Sequence, residues 1–253
     1  MLLLENKVAI VHGAGGALGG AVASAFAEAG ARVFLAGRTL DPVQATADAI
    51  GTADSVVSQV DALNEEAVER HAAMVADTAG RIDVVFNAIS VNPVQGTGLL
   101  DLQLTDFLAP ITSWVSSQFL TSRAAARYMV TQRSGVVLTL SASPARLSIG
   151  MTGGFGVASA AVEGLTRTLA AELGSHGVRV LCLRPHRIDE TLSVADFPGE
   201  DVDEFRRFLK DMTLTGSLPT LADVANTAAF LASDHAAAMT GTVVNLTLGM
   251  SGD

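Results

Sequence analysis

The sequence predicts an α/β protein: one doubly wound parallel sheet of about seven strands, with helices on both faces. Two observations predict it. Apolar runs of strand length alternate along the chain with segments of helical period, the order that βαβ units require. The strand runs are apolar throughout instead of alternating, so both of their faces must be covered. The crossovers of such a sheet are right-handed.

The elements can be justified in order. "KVAIVHG" (7–13) is a strand that ends on glycine, and "ALGGAVASAFAEAG" (17–30) a helix with small residues on one face and Gly30 at its end. "ARVFLAG" (31–37) is the second strand. "PVQATADAIG" (42–51) is a helix with Pro42 in its first turn, where a missing N–H costs nothing. "DSVVSQVD" (54–61) is the third strand. "NEEAVERHAAMVADTAG" (64–80) is a helix opened by Asn64, with acids where the helix dipole favours them. Then come the strand "IDVVFNA" (82–88), a helical region over 104–132, the strand "GVVLTLSA" (135–142), a helix within 153–174 and the strand "GVRVLCLRP" (177–185). The stretch 188–216 is polar and irregular around one short amphipathic helix, "VDEFRRFLKDM", and is expected to form a substrate lid. "LADVANTAAFLAS" (221–233) and "GTVVNLTLG" (241–249) close the chain as helix and strand.

No linker, low-complexity tract or repeat divides the sequence, so 1–253 is expected to be a single domain, and an apolar fraction of 49% is ample for one core. Cys182 is the one cysteine, so no intrachain disulfide can form. "MLLLENK" is not expected to be a signal peptide, because Glu5 cuts off its apolar triplet, and no run approaches membrane-spanning length. A cytoplasmic setting is expected. The formal charge of −10 argues against a nucleic-acid partner.

"VHGAGGALGG" lies between the first strand and the first helix, the context a phosphate-binding turn needs. Glycines let backbone N–H groups approach a pyrophosphate, and the helix end adds positive potential. The candidates there are Gly13, Gly15, Gly16, Leu18 and Gly19. A tight turn that binds nothing is the alternative. Eighteen residues past Gly19, where an NAD-preferring protein places an acid on the ribose 2′-hydroxyl, stand Gly37 and Arg38. A guanidinium suits a 2′-phosphate, so NADP(H) is favoured over NAD(H) if a dinucleotide binds at all.

With "VDA" at 60–62, "FNAIS" at 86–90, "ASAAVEGLTRTLAAELGSHGVRVLCLRP" and "ADVANTAAFLASDHAAAMTGTVVN", the chain resembles the short-chain dehydrogenase/reductase family over nearly its whole length. The resemblance implies a Rossmann-type dinucleotide-binding domain. The glycine turn matches that family's Thr-Gly-x-x-x-Gly-x-Gly except that His12 stands for Thr and Ala17 for the middle Gly. Asp61 and Ala62 match its adenine-contacting pair. Asn87, Ala88 and Ile89 match its Asn-Ala-Gly turn with Ile for Gly, and Pro185 its Pro-Gly turn beside the nicotinamide. Aligning on "AAVEGLTR" puts the family's catalytic Tyr at Phe155 and its Lys at Ser159; its Ser falls at Ala142 and its Asn at Trp114. The chain's one tyrosine is Tyr128 and its lysines are Lys7 and Lys210, so no Tyr-Lys pair can be assembled on that helix.

Replacement groups must lie at the C-terminal ends of the strands. Ser141 and Ser143 flank the vacant Ser position, Arg146 follows on the same loop, and His186 stands for the glycine after Pro185. Of these His186 is the acid–base candidate, and Arg146 suits an anionic oxygen. Each can equally be an ordinary loop residue. No metal-ligand spacing is present. Three readings stay open: an atypical NADP(H)-dependent oxidoreductase acting on an unknown small carbonyl or alcohol; a non-redox isomerase, lyase or cyclase; or a silent NADP(H)-binding subunit. The resemblance also implies a homodimer or homotetramer through the helices at 104–132 and 153–176, and no membrane partner.

Overall fold

The computed structural model describes residues 2–52, 54–89, 91–192 and 201–250. Seven strands form one parallel sheet: β1 (Val8–His12), β2 (Arg32–Gly37), β3 (Val56–Gln59), β4 (Val84–Asn87), β5 (Gly135–Leu140), β6 (Val178–Pro185) and β7 (Thr242–Leu246), in the order β3-β2-β1-β4-β5-β6-β7. All six pairings are parallel. β1, β4 and β5 are buried at every position, as their unbroken apolar runs require.

The helices are α1 (Ala17–Glu28), α2 (Leu40–Ile50), α3 (Glu65–Ala79), α4 (Leu104–Gln132), α5 (Phe155–Leu173), α6 (Val202–Asp211) and α7 (Leu221–Ala232). α1 packs on α2 and α7 over one face of the sheet, and α3, α4 and α5 pack side by side over the other. Asn64 caps α3 by accepting from the Ala67 N–H, and Gly51 and Gly80 end α2 and α3 in the left-handed region. α2 starts at Leu40, two residues ahead of the expected Pro42, because Thr39 supplies the extended cap residue.

The strand order reverses between β1 and β4. At such a reversal, doubly wound sheets hold ligands outside the C-terminal ends of the strands. Of the expected lid, 193–200 lie outside the described residues. Around them Asp189 holds α6 through ion pairs with Arg206 (2.7 Å) and Lys210 (3.7 Å). No helix among the described residues is long and apolar enough to cross a membrane.

Candidate cofactor and active site

The glycine turn fits a dinucleotide phosphate. Gly13 has φ +78°, and a Cβ there would meet the Ala88 carbonyl oxygen at 2.6 Å. A Cβ on Gly19 would lie 2.1 Å from the Gly13 oxygen, so only glycine lets α1 start this close to the turn. α1 has no side-chain cap and no acid in its first turn, and Gly16 and Ala17 are exposed at its mouth. Its N–H groups and positive dipole end are therefore open to an anion. Leu18 is half-buried beside them.

The ends of β2, β3 and β4 converge on the same edge. Arg38 follows β2 with an exposed side chain, and its carbonyl oxygen accepts from Gln59 Nε2 at 2.9 Å. A Cβ at Gly37 would meet Val43 Cγ2 at 2.7 Å, so a side chain there would have to move the Val43 methyl. Past β3, Asp61 is exposed and turns the chain by accepting from the Leu63 N–H, while Ala62 is buried. Past β4, Asn87 is buried: its Nδ2 donates to Thr121 Oγ1 (2.9 Å), and its Oδ1 accepts from the Ile89 N–H (2.9 Å). The Ala88 N–H donates to the His12 carbonyl, tying this turn to the glycine loop.

The positions matched to the catalytic residues form a different constellation. Trp114 of α4 and Phe155 of α5 stack with centroids 5.3 Å apart and planes 8° from parallel. Trp114 is 3% exposed and its Nε1 has no partner among the described residues. Ser159 Oγ donates to its own helix at the Phe155 carbonyl, 2.8 Å away, and Ala142 is half-buried at the end of β5. Tyr128 lies in the last turns of α4 against the opposite end of the core. Lys7 precedes β1 and pairs with Asp234.

Below the aromatic pair sits a buried ionic cluster that the sequence reading did not anticipate. Ser141 Oγ donates to Glu163 Oε1 (3.1 Å), which also accepts from Arg184 Nη1 (3.2 Å); Arg146 Nε approaches Oε2 at 3.7 Å. Glu163 and Arg184 are almost wholly buried, whereas the Arg146 side chain is half exposed. One signal was available: a charged residue inside the apolar strand "VRVLCLRP" has to find a counter-charge. Ser141 is thus tied down away from the crevice, while Arg146 keeps its outer face free for an anionic group.

Ser143 and His186 come together, Oγ to Nδ1 at 3.1 Å, across the ends of β5 and β6. His186 is 7% exposed, and its Nε2 has no partner among the described residues. Burial first, then the neighbouring Arg187 charge, lowers its pKa to about 4. Near neutral pH this imidazole is uncharged, which suits a hydrogen-bonding group and not an imidazolium acid. Pro185 is buried beside it.

A cavity of about 330 Å³ opens between the loops after β4 and β5, lined by Gly98, Leu99, Ile149, Met151 and Thr152. A second, of about 380 Å³, lies at the opposite ends of the strands between Lys7, Asp83, Arg179 and Asp234, where such sheets do not hold ligands.

The model of a family described as enoyl-(acyl carrier protein) reductase matches residues 13–251. The chain is 30% identical over 239 residues to secoisolariciresinol dehydrogenase of Forsythia intermedia, covering 94% of this chain and 86% of that protein. It is 31% identical to (+)-borneol dehydrogenase 2 of Salvia officinalis, covering 95% and 87%. It is similar to a solved structure from Burkholderia xenovorans described as a short-chain dehydrogenase/reductase. There the TM-score is 0.89 at 27% identity, with 99% and 98% of the two chains covered.

Proposed function

The chain belongs to the short-chain dehydrogenase/reductase family, and on that premise we propose that it binds NADP(H) and acts as an atypical oxidoreductase on an apolar carbonyl or alcohol without the family's Tyr-Lys acid. Relatives at about this identity are named as dehydrogenases, and the family generally uses NAD(P)(H). The observation that carries the reading is the open, uncapped N-terminus of α1 beside the exposed Arg38, with no acid at Gly37. The dinucleotide supplies the hydride. Gly13, Gly15, Gly16, Leu18 and Gly19 would hold its phosphates, Arg38 its 2′-phosphate, Asp61 and Ala62 its adenine, and Asn87, Ala88, Ile89 and Pro185 its nicotinamide half.

Trp114, Ala142, Phe155 and Ser159 replace the family's four polar groups, so hydrogen bonding to the substrate oxygen falls to Ser143 and His186, with Arg146 beside the opening, and the proton comes from water. A positioned acid is worth about 10²–10⁴ in rate, so turnover should be slow for the family. The stacked aromatic pair and the cavity with Leu99, Ile149 and Met151 favour an apolar substrate body. The same stack favours a second reading, a non-catalytic or non-redox protein that keeps the cofactor site. A homodimer or homotetramer through α4 and α5, in a reducing cytoplasmic setting, completes the proposal.

Fluorescence titration with NADPH and NADH tests it. NADPH is expected to bind more tightly than NADH, and Arg38→Ala to weaken NADPH about tenfold or more, the loss of one charged hydrogen bond. NADH binding tighter than NADPH, or neither binding, overturns the NADP(H) assignment. NADPH binding with no turnover on any carbonyl of a broad panel favours the second reading.

A further inference from the structure

His186 is an imidazole with one nitrogen accounted for and the other not. Its Nδ1 meets Ser143 Oγ at 3.1 Å, and its Nε2 is buried without a partner among the described residues. Two tautomers fit that contact. If Nδ1–H donates to Ser143, both the Ser143 hydroxyl hydrogen and the bare Nε2 are left without partners. If the Ser143 hydroxyl donates to Nδ1, the only group left over is the Nε2–H. The second arrangement leaves fewer buried polar groups unsatisfied and is favoured, because each such group keeps the cost of its lost hydration.

We propose that Ser143 fixes His186 as the Nε2–H tautomer, and that this N–H is a preformed donor to a carbonyl oxygen of the bound ligand in the crevice. This rests on the proposed dinucleotide site, since His186 follows Pro185 at the C-terminal end of β6, the end of the sheet at which that site lies. The carbonyl oxygen has two sources, the nicotinamide carboxamide and the substrate. Burial keeps the ring neutral, with a pKa of about 4, so the donor is available across the physiological range without a change of charge. A neutral imidazole of this kind stabilises a carbonyl oxygen as negative charge builds on it, without itself giving up a proton. Ser143 then acts as a positioning residue and His186 as the group that touches ligand.

Long-range ¹H–¹⁵N spectra of histidine-labelled protein test this, with the His186 signals assigned from their loss in His186→Gln. The free protein is expected to show the Nε2–H pattern at His186, and Ser143→Ala to abolish it while the other histidine signals stay in place. Three probes follow: NADP⁺, 2′-phospho-ADP-ribose (which lacks nicotinamide), and acetophenone added with NADP⁺. A shift of Nε2–H with NADP⁺ but not with 2′-phospho-ADP-ribose supports the proposal with the carboxamide as acceptor. A shift only when acetophenone is added supports it with the substrate oxygen as acceptor. NADP⁺ binding seen by fluorescence, with Nε2–H unmoved by every probe, overturns the proposal and leaves the cofactor site standing. No NADP⁺ binding overturns both. His186→Phe is expected to weaken the responsible ligand about fivefold, and His186→Gln, which keeps an N–H donor, to recover part of that loss.

Discussion

His12 and His71 are two imidazoles shut away from water between β1 and α3, with centroids 5.5 Å apart and rings at 75°. Neither nitrogen of His71 has a hydrogen-bond partner among the described residues. Burial lowers the pKa of His12 to about 3, helped by the His71 charge, and burial alone lowers His71 to about 4. An unfolded histidine titrates near 6.5. Above that pH both states are neutral. Below it the unfolded chain takes up protons that the folded chain refuses, so this stability is full above pH 6.5 and is lost as pH falls toward 4. Each such histidine adds up to ~1.4 kcal/mol per pH unit to the slope, and His186 is a third. His71→Leu is therefore expected to remove about one third of the histidine slope between pH 6.5 and 5 in urea unfolding. An unchanged slope would show that His71 is protonated in the folded state. Single residues were the hardest thing to read in the sequence. The motif exposed His12 as a substitution, but its neighbour lies on another element, and so does the Trp114 that stacks on Phe155. Such contacts depend on how helices meet the sheet, which no local pattern encodes.

At the scale of the element, a glycine at the cap of α5 and one within it have opposite consequences. Gly154 caps the helix at φ −77°, a conformation any residue adopts, yet a Cβ there would lie 1.9 Å from the Phe107 carbonyl oxygen and 3.1 Å from Pro110 Cγ. Both belong to α4, so the glycine exists for close helix approach and not for backbone freedom. Gly154→Ala should push α4 and α5 apart and destabilise by about 1–3 kcal/mol. Gly164 sits mid-helix with only a flexible Arg167 tip 3.9 Å away, so Gly164→Ala should stabilise by about 0.5–1 kcal/mol. Melting temperatures check the pair: a fall for the first and a rise of about 2–4 °C for the second. Equal effects would contradict the packing asymmetry. Elements were the most legible level, because the strands are continuous apolar runs and Asn64, Gly51 and Gly80 mark ends by their own chemistry. Gly154 was not legible, since nothing in "GGFG" says that a carbonyl of another helix presses on it.

At the scale of the whole molecule, α4 and α5 leave large apolar side chains in water. Leu104, Leu108 and Phe119 of α4 and Val157 of α5 are all well exposed. The two helices lie side by side, so these residues share the outer side of one layer. Apolar side chains gathered on one helical layer of a charged protein mark an association surface more often than a solvated one. Members of this family are typically oligomeric, and a two-fold arrangement would bring the same pair of helices against its copy. Residues near the two-fold axis then meet their own counterparts, so one substitution acts twice in a dimer. Val157 lies two residues past Phe155 of the stacked pair, and in the proposed assembly Val157→Glu would set two carboxylates against each other in a desolvated interface. Sedimentation of the wild-type chain is expected to give at least twice the 26.0 kDa of one chain, and Val157→Glu a single-chain mass with the fold retained by circular dichroism. A variant that keeps the wild-type mass would move the interface away from α5. A wild-type chain that sediments as a monomer at micromolar concentration would leave these side chains without the partner inferred for them. If instead the dissociated variant also binds NADPH more weakly, the crevice relies on its neighbour across α4 and α5 to hold the loops after β4 and β5 in place.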